Sequence, residues 1–129
     1  MTEISEYVVD SSAWIEYFDG SEKGKKLKLI IETQRLSTSS IAIAEIVDVS
    51  IRRRRTHAAE IQFIENRSTM LLPGPGLCML AGQLKSEHRK KHPKFGLIDA
   101  IHLATAIQQK ATLLTTDTDF AGMKNTLVV

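Results

Sequence analysis

The stretch Tyr7-Val8-Val9-Asp10-Ser11-Ser12 governs the interpretation of the whole sequence. An aromatic residue followed by two β-branched residues predicts a short buried strand. The Asp-Ser-Ser that follows is typical of a helix start, because a side-chain oxygen there accepts a free backbone N–H. The sequence therefore predicts that strand passes directly into helix at Asp10, and Trp14 and Phe18 continue the helix at helical spacing.

Strand and helix patterns alternate along the rest of the chain. Helices are predicted over 23–32, 41–47, 57–66, 77–91 and 97–109, and strands over 35–38, 69–72, 111–115 and 126–129. The Pro73-Gly74-Pro75-Gly76 segment is expected to be a loop that stops the third strand. This alternation predicts an α/β fold, a three-layer α/β/α sandwich with a parallel sheet covered on both faces.

Length and composition limit the classes of protein. The 129 residues are expected to form one domain over 1–129, with globular fractions of 43% apolar and 25% charged residues. The single cysteine, Cys78, excludes an intrachain disulfide and cysteine-rich zinc sites. The absence of a long apolar run or a signal-peptide pattern leads us to expect a cytoplasmic protein without a membrane partner.

The acidic residues Asp10, Glu45, Asp99, Asp117 and Asp119 stand at unusual positions. Asp10 and Asp117 directly follow predicted strands, so both are expected at the carboxyl edge of the sheet, where sites of such folds lie. Glu45 interrupts an apolar helical run. Local explanations remain open: Asp10 as a helix cap, Asp99 as a partner of the helix dipole, and Asp117 and Asp119 as turn residues.

A shared site for these carboxylates favours a divalent cation. Carboxylates held close together resist joint ionisation, and a cation removes that repulsion. Mg²⁺ prefers oxygen ligands, makes a bound water a better nucleophile, and stabilises negative charge on a phosphate. Such a cluster therefore suits hydrolysis of phosphodiester bonds.

Four stretches resemble the motifs of the PIN domain family, in family order and nearly spanning the chain. They are Val8–Ile15, Ser39–Ile46, Leu97–Ala106 and Leu113–Phe120. The resemblance implies a mainly parallel five-stranded sheet and an endoribonuclease that depends on Mg²⁺ or Mn²⁺. The compact length resembles the VapC-type toxins of toxin–antitoxin pairs. That likeness implies a homodimer and a small antitoxin whose tail blocks the site.

The resemblance also assigns roles to individual residues. It places Asp10, Glu45, Asp99 and Asp117 at the catalytic, metal-binding positions, with Asp119 as a further acid acting on the metal. One of the carboxylates, with Asp99 the first candidate, would orient the attacking water or take its proton. Ser11 and Thr115 match supporting hydroxyls. Two positions depart from the family: Ala42 replaces a frequent Thr, and Thr118 replaces a frequent basic residue, which bears on phosphate contact.

Basic residues form runs elsewhere, although the net charge is only +2. The run Arg52, Arg53, Arg54 and Arg55 is the best candidate for contacts with RNA phosphates. The alternatives are cations at a helix C-terminus, or contacts with acidic residues of a partner. The group from Lys85 to Lys94 is interpreted as a solvated face, and His102 as a half-buried structural histidine.

Three other functions fit parts of the pattern. The same fold could process RNA without a toxin role, and a small adjacent antitoxin reading frame would favour the toxin. A binding module without turnover is disfavoured by the intact set of acids. A phosphatase is suggested by the Asp117-x-Asp119 pair, but such enzymes usually carry that pair directly after the first strand.

Overall fold

A computed structural model describes residues 6–129. Its centre is a five-stranded sheet in the order β3-β2-β1-β4-β5. The strands are β1 (Glu6–Val9), β2 (Arg35–Ser39), β3 (Thr69–Leu71), β4 (Thr112–Thr115) and β5 (Thr126–Val128). All neighbouring strands pair in parallel, so the predicted parallel sheet is confirmed.

Helices connect the strands. They are α1 (Ser11–Asp19), α2 (Glu22–Thr33), α3 (Ser40–Arg52), α4 (Ala58–Arg67), α5 (Pro75–His88) and α6 (Leu97–Gln109), and a short 3₁₀ turn spans Thr118–Phe120. The bounds of α6 match the prediction. The start of α5 does not, because Pro75 occupies the first turn of the helix rather than a loop. Proline fits that position, since the N–H it lacks has no partner in the first turn anyway.

Two apolar cores cover the two faces of the sheet. Val8 and Leu113 belong to the core packed against α5 and α6, whereas their neighbours Val9 and Leu114 belong to the core that holds Trp14. Successive strand residues point to opposite faces, so both central strands are buried on both sides. The predicted α/β/α sandwich is therefore confirmed.

The helices α1 and α2 approach each other closely at Gly24. A Cβ atom at Gly24 would lie 2.0 Å from the carbonyl oxygen of Glu16, so only glycine fits this crossing. The close crossing brings the beginning of α2 near the end of β4, where Lys23 Nζ donates to the carbonyl of Thr116 at 3.4 Å. Within residues 6–129, none of the helices is long and apolar enough to cross a lipid bilayer.

Candidate active site

The sequence-predicted acids come from four elements that surround one edge of the sheet. Asp10 directly follows β1, and Asp117 lies two residues beyond β4, which pairs with β1 in parallel. Asp99 is in the first turn of α6, and Glu45 is in the second turn of α3. The carboxyl ends of neighbouring parallel strands share an edge. The fold therefore gathers side chains that are up to 107 positions apart, from Asp10 to Asp117.

Asp10 is a buried carboxylate held in a fixed orientation. Its side chain is the N-cap of α1, where Oδ1 accepts the backbone N–H of Ala13 at 2.9 Å. The same oxygen accepts the Ser12 hydroxyl at 2.8 Å. Only 3% of Asp10 is exposed. The capping explanation is therefore correct, and the cap also fixes the carboxylate at the sheet edge.

A chain of hydroxyl groups links the loops that follow β1 and β4. Ser12 Oγ lies 3.2 Å from Thr115 Oγ1 and accepts the backbone N–H of Thr116 at 3.1 Å. Thr115 Oγ1 in turn accepts the backbone N–H of Asp117 at 3.0 Å. Thr115 thus lies where a supporting group is needed. In residues 6–129 the serine hydroxyl bonded to a carboxylate of this cluster is that of Ser12, not that of Ser11.

Asp99 and Asp117 are oriented by bonds within their own turns. The backbone N–H of Gly96 donates to Asp99 Oδ2 at 2.8 Å, and the N–H of Asp119 donates to Asp117 Oδ1 at 2.8 Å. Each aspartate thus uses one oxygen to fix its turn. In the described part of the chain, the second oxygen of each has no hydrogen-bond donor, so it is free to bind something else.

Glu45 is paired with His102, a contact that sequence reasoning missed. His102 Nε2 lies 2.7 Å from Glu45 Oε1, and the histidine is only 2% exposed. Its other ring nitrogen, Nδ1, is buried without a partner. The sequence placed His102 one helical turn after Asp99. The partner on α3 is 57 positions away, so spacing alone could not find it.

Burial and mutual repulsion shift the protonation equilibria of this cluster. Burial raises the pKa of Asp10, despite the nearby charge of His102 and its hydrogen bonds. Burial also raises the pKa of Asp99, and the charges of Asp117 and Glu45 raise it further. Burial lowers the pKa of His102, but the bond to Glu45 and the charges of Asp10 and Asp99 outweigh it and raise the pKa overall. The cluster therefore attracts positive charge.

The donor set fits a hydrated hard cation. As the side chains stand, no three His, Cys, Asp or Glu side chains in the described range 6–129 are grouped closely enough to hold an ion by themselves. Mg²⁺ typically binds through one or two protein carboxylates, keeps several waters, and takes further oxygens from substrate phosphates. The free oxygens of Asp99 and Asp117 meet that requirement. Burial raises the pKa of Asp99, and the charges of Asp117 and Glu45 add a smaller repulsion that a bound cation would relieve.

The arginine run lies at the far end of α3. Arg52 pairs with Asp48 at 3.3 Å, and Arg53 and Arg55 both pair with Asp19, at 3.0 and 2.7 Å. Arg52 follows Glu45 by seven residues, which is about 10 Å along a helix. The structure places this run outside the carboxylate cluster, and its contact with RNA stays a prediction.

The model of the family described as "PIN domain" matches residues 7–125. The chain belongs to the PIN domain family. This match covers β1 and the turn after β4, so every acid of the cluster lies within the PIN domain. No curated protein sequence matches the chain.

Solved structures described as toxins or toxin–antitoxin complexes share its fold. A toxin–antitoxin complex from Klebsiella pneumoniae has a TM-score of 0.74 at 22% identity, covering 95% of this chain and 96% of that one. VapBC2 from Rickettsia felis, bound to a DNA fragment from their promoter, has a TM-score of 0.73 at 18% identity over 96% and 97%. VapC20 of Mycobacterium tuberculosis, described as a sarcin-ricin loop cleaving toxin, has a TM-score of 0.72 at 17% identity over 92% and 95%.

Proposed function

We propose that this PIN domain is a metal-dependent endoribonuclease and the toxin of a VapBC-type toxin–antitoxin pair. The observation that carries the proposal is the cluster of Asp10, Asp99 and Asp117 with Glu45 at one sheet edge. Two of these carboxylates have a pKa raised by burial. We propose that one nuclease domain spans residues 1–129. The family membership and the similarity to VapC20, a toxin described as cleaving the sarcin-ricin loop, support RNA as the substrate.

Asp10, Glu45, Asp99 and Asp117 would hold one or two ions of Mg²⁺ or Mn²⁺, and Asp119 would contact the waters around them. When bound, such an ion neutralises charge on the phosphate and lowers the pKa of a coordinated water. Asp10 is fixed by Ser12 and the N-cap bond, so its carboxylate is positioned before substrate arrives. Preorganised groups of this kind avoid reorganisation during the reaction.

The remaining side chains orient the acids and the attacking water. Asp99 keeps one oxygen on Gly96, which leaves the other to accept a hydrogen bond from a water molecule aligned with the phosphate. Thr115 holds the Asp117 backbone through its hydroxyl. His102 fixes Glu45 in place, in the way that partners of metal ligands do.

A cleavage assay with single-stranded RNA tests the enzymatic proposal. The wild-type protein is expected to cut RNA with Mg²⁺ and to lose this activity in EDTA. Asp99→Asn is expected to lower the rate by about a hundredfold or more, because it removes a charge from the cluster. Asp48→Asn is the matched control, since Asp48 is an exposed acid paired only with Arg52. Equal rates for wild type and Asp99→Asn would exclude the proposed site.

The toxin role rests on the solved complexes. Several similar structures are described as toxin–antitoxin or VapBC assemblies, which supports a VapB-type antitoxin partner. We further propose that the protein is a homodimer and acts in the cytoplasm. Expression of wild type in cells should arrest growth and create discrete new RNA ends, while Asp10→Asn should do neither. Cleavage of RNA in vitro without growth arrest would favour an RNA-processing nuclease instead.

A further inference from the structure

The loop between α5 and α6 brings unpaired cations to the acidic edge. Lys90, Lys91 and Lys94 are exposed, and none of their side chains forms an ion pair or a hydrogen bond within residues 6–129. In the arginine run, by contrast, Arg52 pairs with Asp48 and Arg53 and Arg55 share Asp19, so that only Arg54 lacks an ion pair within the described residues. Lysines without an internal partner are available for phosphate groups.

An aromatic anchor fixes this loop against the active site. Phe95 is completely buried, and its ring centroid lies 5.6 Å from that of Phe120, which directly follows Asp119. The Phe95 N–H donates to the carbonyl of His92 at 3.0 Å, which closes the loop. The next residue, Gly96, donates to Asp99. The end of the loop is thus attached to two places, through Phe95 to the turn that contains Asp119 and through Gly96 to Asp99.

Two cavities flank the loop. The smaller one, of about 320 Å³, lies between the loop and the 3₁₀ turn that follows Asp117, and Lys91, His92, Pro93, Lys94, Thr118 and Asp119 line it. The larger one, of about 620 Å³, lies on the other side of the loop. Lys91 and His92 line both cavities, so the two are adjacent and share one wall.

The larger cavity combines apolar and cationic surfaces. Its apolar lining comes from Leu84, Leu103, Ile107 and Met123. Lys90, Lys91 and Lys124 line it as well, and Glu87 is the carboxylate beside them, so three positive charges face one negative charge. Nucleic acid strands alternate anionic phosphates with flat, weakly polar bases, and single strands bind to grooves that offer both surfaces.

We propose, resting on the nuclease function above, that these two cavities are consecutive subsites for single-stranded RNA. The smaller cavity holds a phosphate beside Asp119, through Lys91 and Lys94. The larger cavity takes the neighbouring nucleotide, with its base on the apolar lining and its phosphate on Lys90 and Lys124. An acidic protein segment would use the lysines but would leave the apolar lining without a flat partner, so RNA fits better.

Equilibrium binding of an oligouridine in EDTA, which prevents cleavage, tests the lysines. The double variant Lys91→Gln/Lys94→Gln is expected to bind about tenfold more weakly at moderate salt. Its plot of log affinity against log salt should be shallower by about 1.4, because each phosphate contact in a single strand contributes about 0.7. The matched control is Lys28→Gln/Lys110→Gln, which makes the same change of charge at exposed lysines on α2 and beyond the far end of α6.

The control is expected to bind like wild type with an unchanged salt slope. Equal weakening in both double variants would overturn the proposal, because the effect would then be one of net charge. Wild-type binding by the loop variant would also overturn it. Loss of binding to a poly-glutamate peptide with full retention of RNA binding would assign the loop to an acidic protein partner instead.

The same experiment separates this proposal from the nuclease function. If wild type cleaves RNA and Asp99→Asn does not, the function stands whatever the loop variants do. If wild type neither binds nor cleaves RNA, both proposals fall. In wild type we expect RNA that contains 4-thiouridine to photocrosslink to residues 88–92 or 122–125, two segments that line the larger cavity. Crosslinks confined to the arginine run would contradict the proposal that RNA binds in the two cavities.

Discussion

The arginine run at the end of α3 and the acidic cluster at the sheet edge are both dense in charge, but they differ in how many of their charges are paired. Within residues 6–129, Arg52, Arg53 and Arg55 form ion pairs, whereas in the acidic cluster only Glu45 does. Arg53 and Arg55 bracket Asp19 at 3.0 and 2.7 Å, and Arg52 meets Asp48 at 3.3 Å. The run is exposed, and its four arginines share two aspartates, with Arg54 outside any ion pair of the described residues. Its charge is therefore partly balanced within the fold.

Among residues 6–129, His102 is the one basic side chain that pairs with an acid of the cluster. His102 bonds to Glu45 and acts on Asp10 and Asp99, yet burial still raises the pKa of both aspartates. Like charges kept together at the ends of parallel strands lower the stability of the metal-free protein. The fold thus supplies more internal counterions to the arginine run than to the acidic cluster, and this makes the cluster the stronger candidate for a functional site.

The largest expected effect comes from the most buried acid. Asp10→Asn should lower RNA cleavage by about a hundredfold to a thousandfold, because several kcal/mol of charge stabilisation would be lost. The helix cap should survive, since Asn caps as well as Asp. Asp19→Asn removes an acid from the arginine side and should leave cleavage near wild type. If Asp10→Asn and Asp19→Asn lower the initial rate of RNA cleavage equally, the acidic cluster has no special role in cleavage compared with the arginine run.

Substitution of His102, the basic side chain that pairs with Glu45, should have the next largest effect, here on the free energy of unfolding. His102→Ala leaves a cavity and an unpaired Glu45, so we expect it to lower the free energy of unfolding by about 2–4 kcal/mol in urea titrations. His102→Gln can still donate to Glu45 and should lose clearly less. If the two variants are equally stable, the bond between His102 and Glu45 does not hold the site together.

The pH dependence of stability should be moderate and of defined sign. The pKa of Asp99 is raised on folding above 3.8, so its contribution is complete below that pH and is lost as pH rises through the raised pKa. The unfolding free energy of Asp99→Asn minus that of wild type, measured in EDTA, should therefore increase from pH 4 toward pH 8. A difference that stays constant with pH would show that Asp99 is not destabilised by its neighbours.

The smallest effect is expected on the arginine side. Arg53→Gln/Arg55→Gln removes two exposed ion pairs and should lower the free energy of unfolding by about 1 kcal/mol or less. Thermal melts at low and high salt measure this, because screening should shrink the difference. A large loss of RNA binding in this variant would instead support the sequence prediction that the arginines contact RNA.

The elements of the fold were predictable from the sequence because their signals are local. The strand-to-helix passage at Asp10 is indicated by the few residues on either side of it. The helix α6 is indicated by the apolar periodicity of its own residues. Pro75 was the exception, since a proline between two glycines resembles a loop although it begins α5. Pro75 begins a helix because the turns that follow it pack Leu77 and Ala81 into the core.

The internal contacts of the site were not predictable in the same way. The acids could be named because the resemblance placed them in motifs. Ser12 bonds across 103 positions to Thr115, and His102 bonds across 57 positions to Glu45. Such pairs are determined by strand order and helix packing. The sequence predicts only a solvated face for the group from Lys85 to Lys94. Lys91 and Lys94 lie near Asp119 because Phe95 packs against Phe120, a contact that no local pattern indicates.

We propose above that Asp10, Asp99 and Asp117 at the carboxyl edge of the sheet form a binding site for a cation. A calorimetric Mg²⁺ titration of wild type and Asp99→Asn, combined with melting curves in EDTA, tests it most directly. We expect wild type to bind Mg²⁺ and to gain stability from it. We expect Asp99→Asn to bind Mg²⁺ far more weakly and, without metal, to melt at least as high as wild type. Identical Mg²⁺ binding by both proteins, or a less stable metal-free variant, would contradict it.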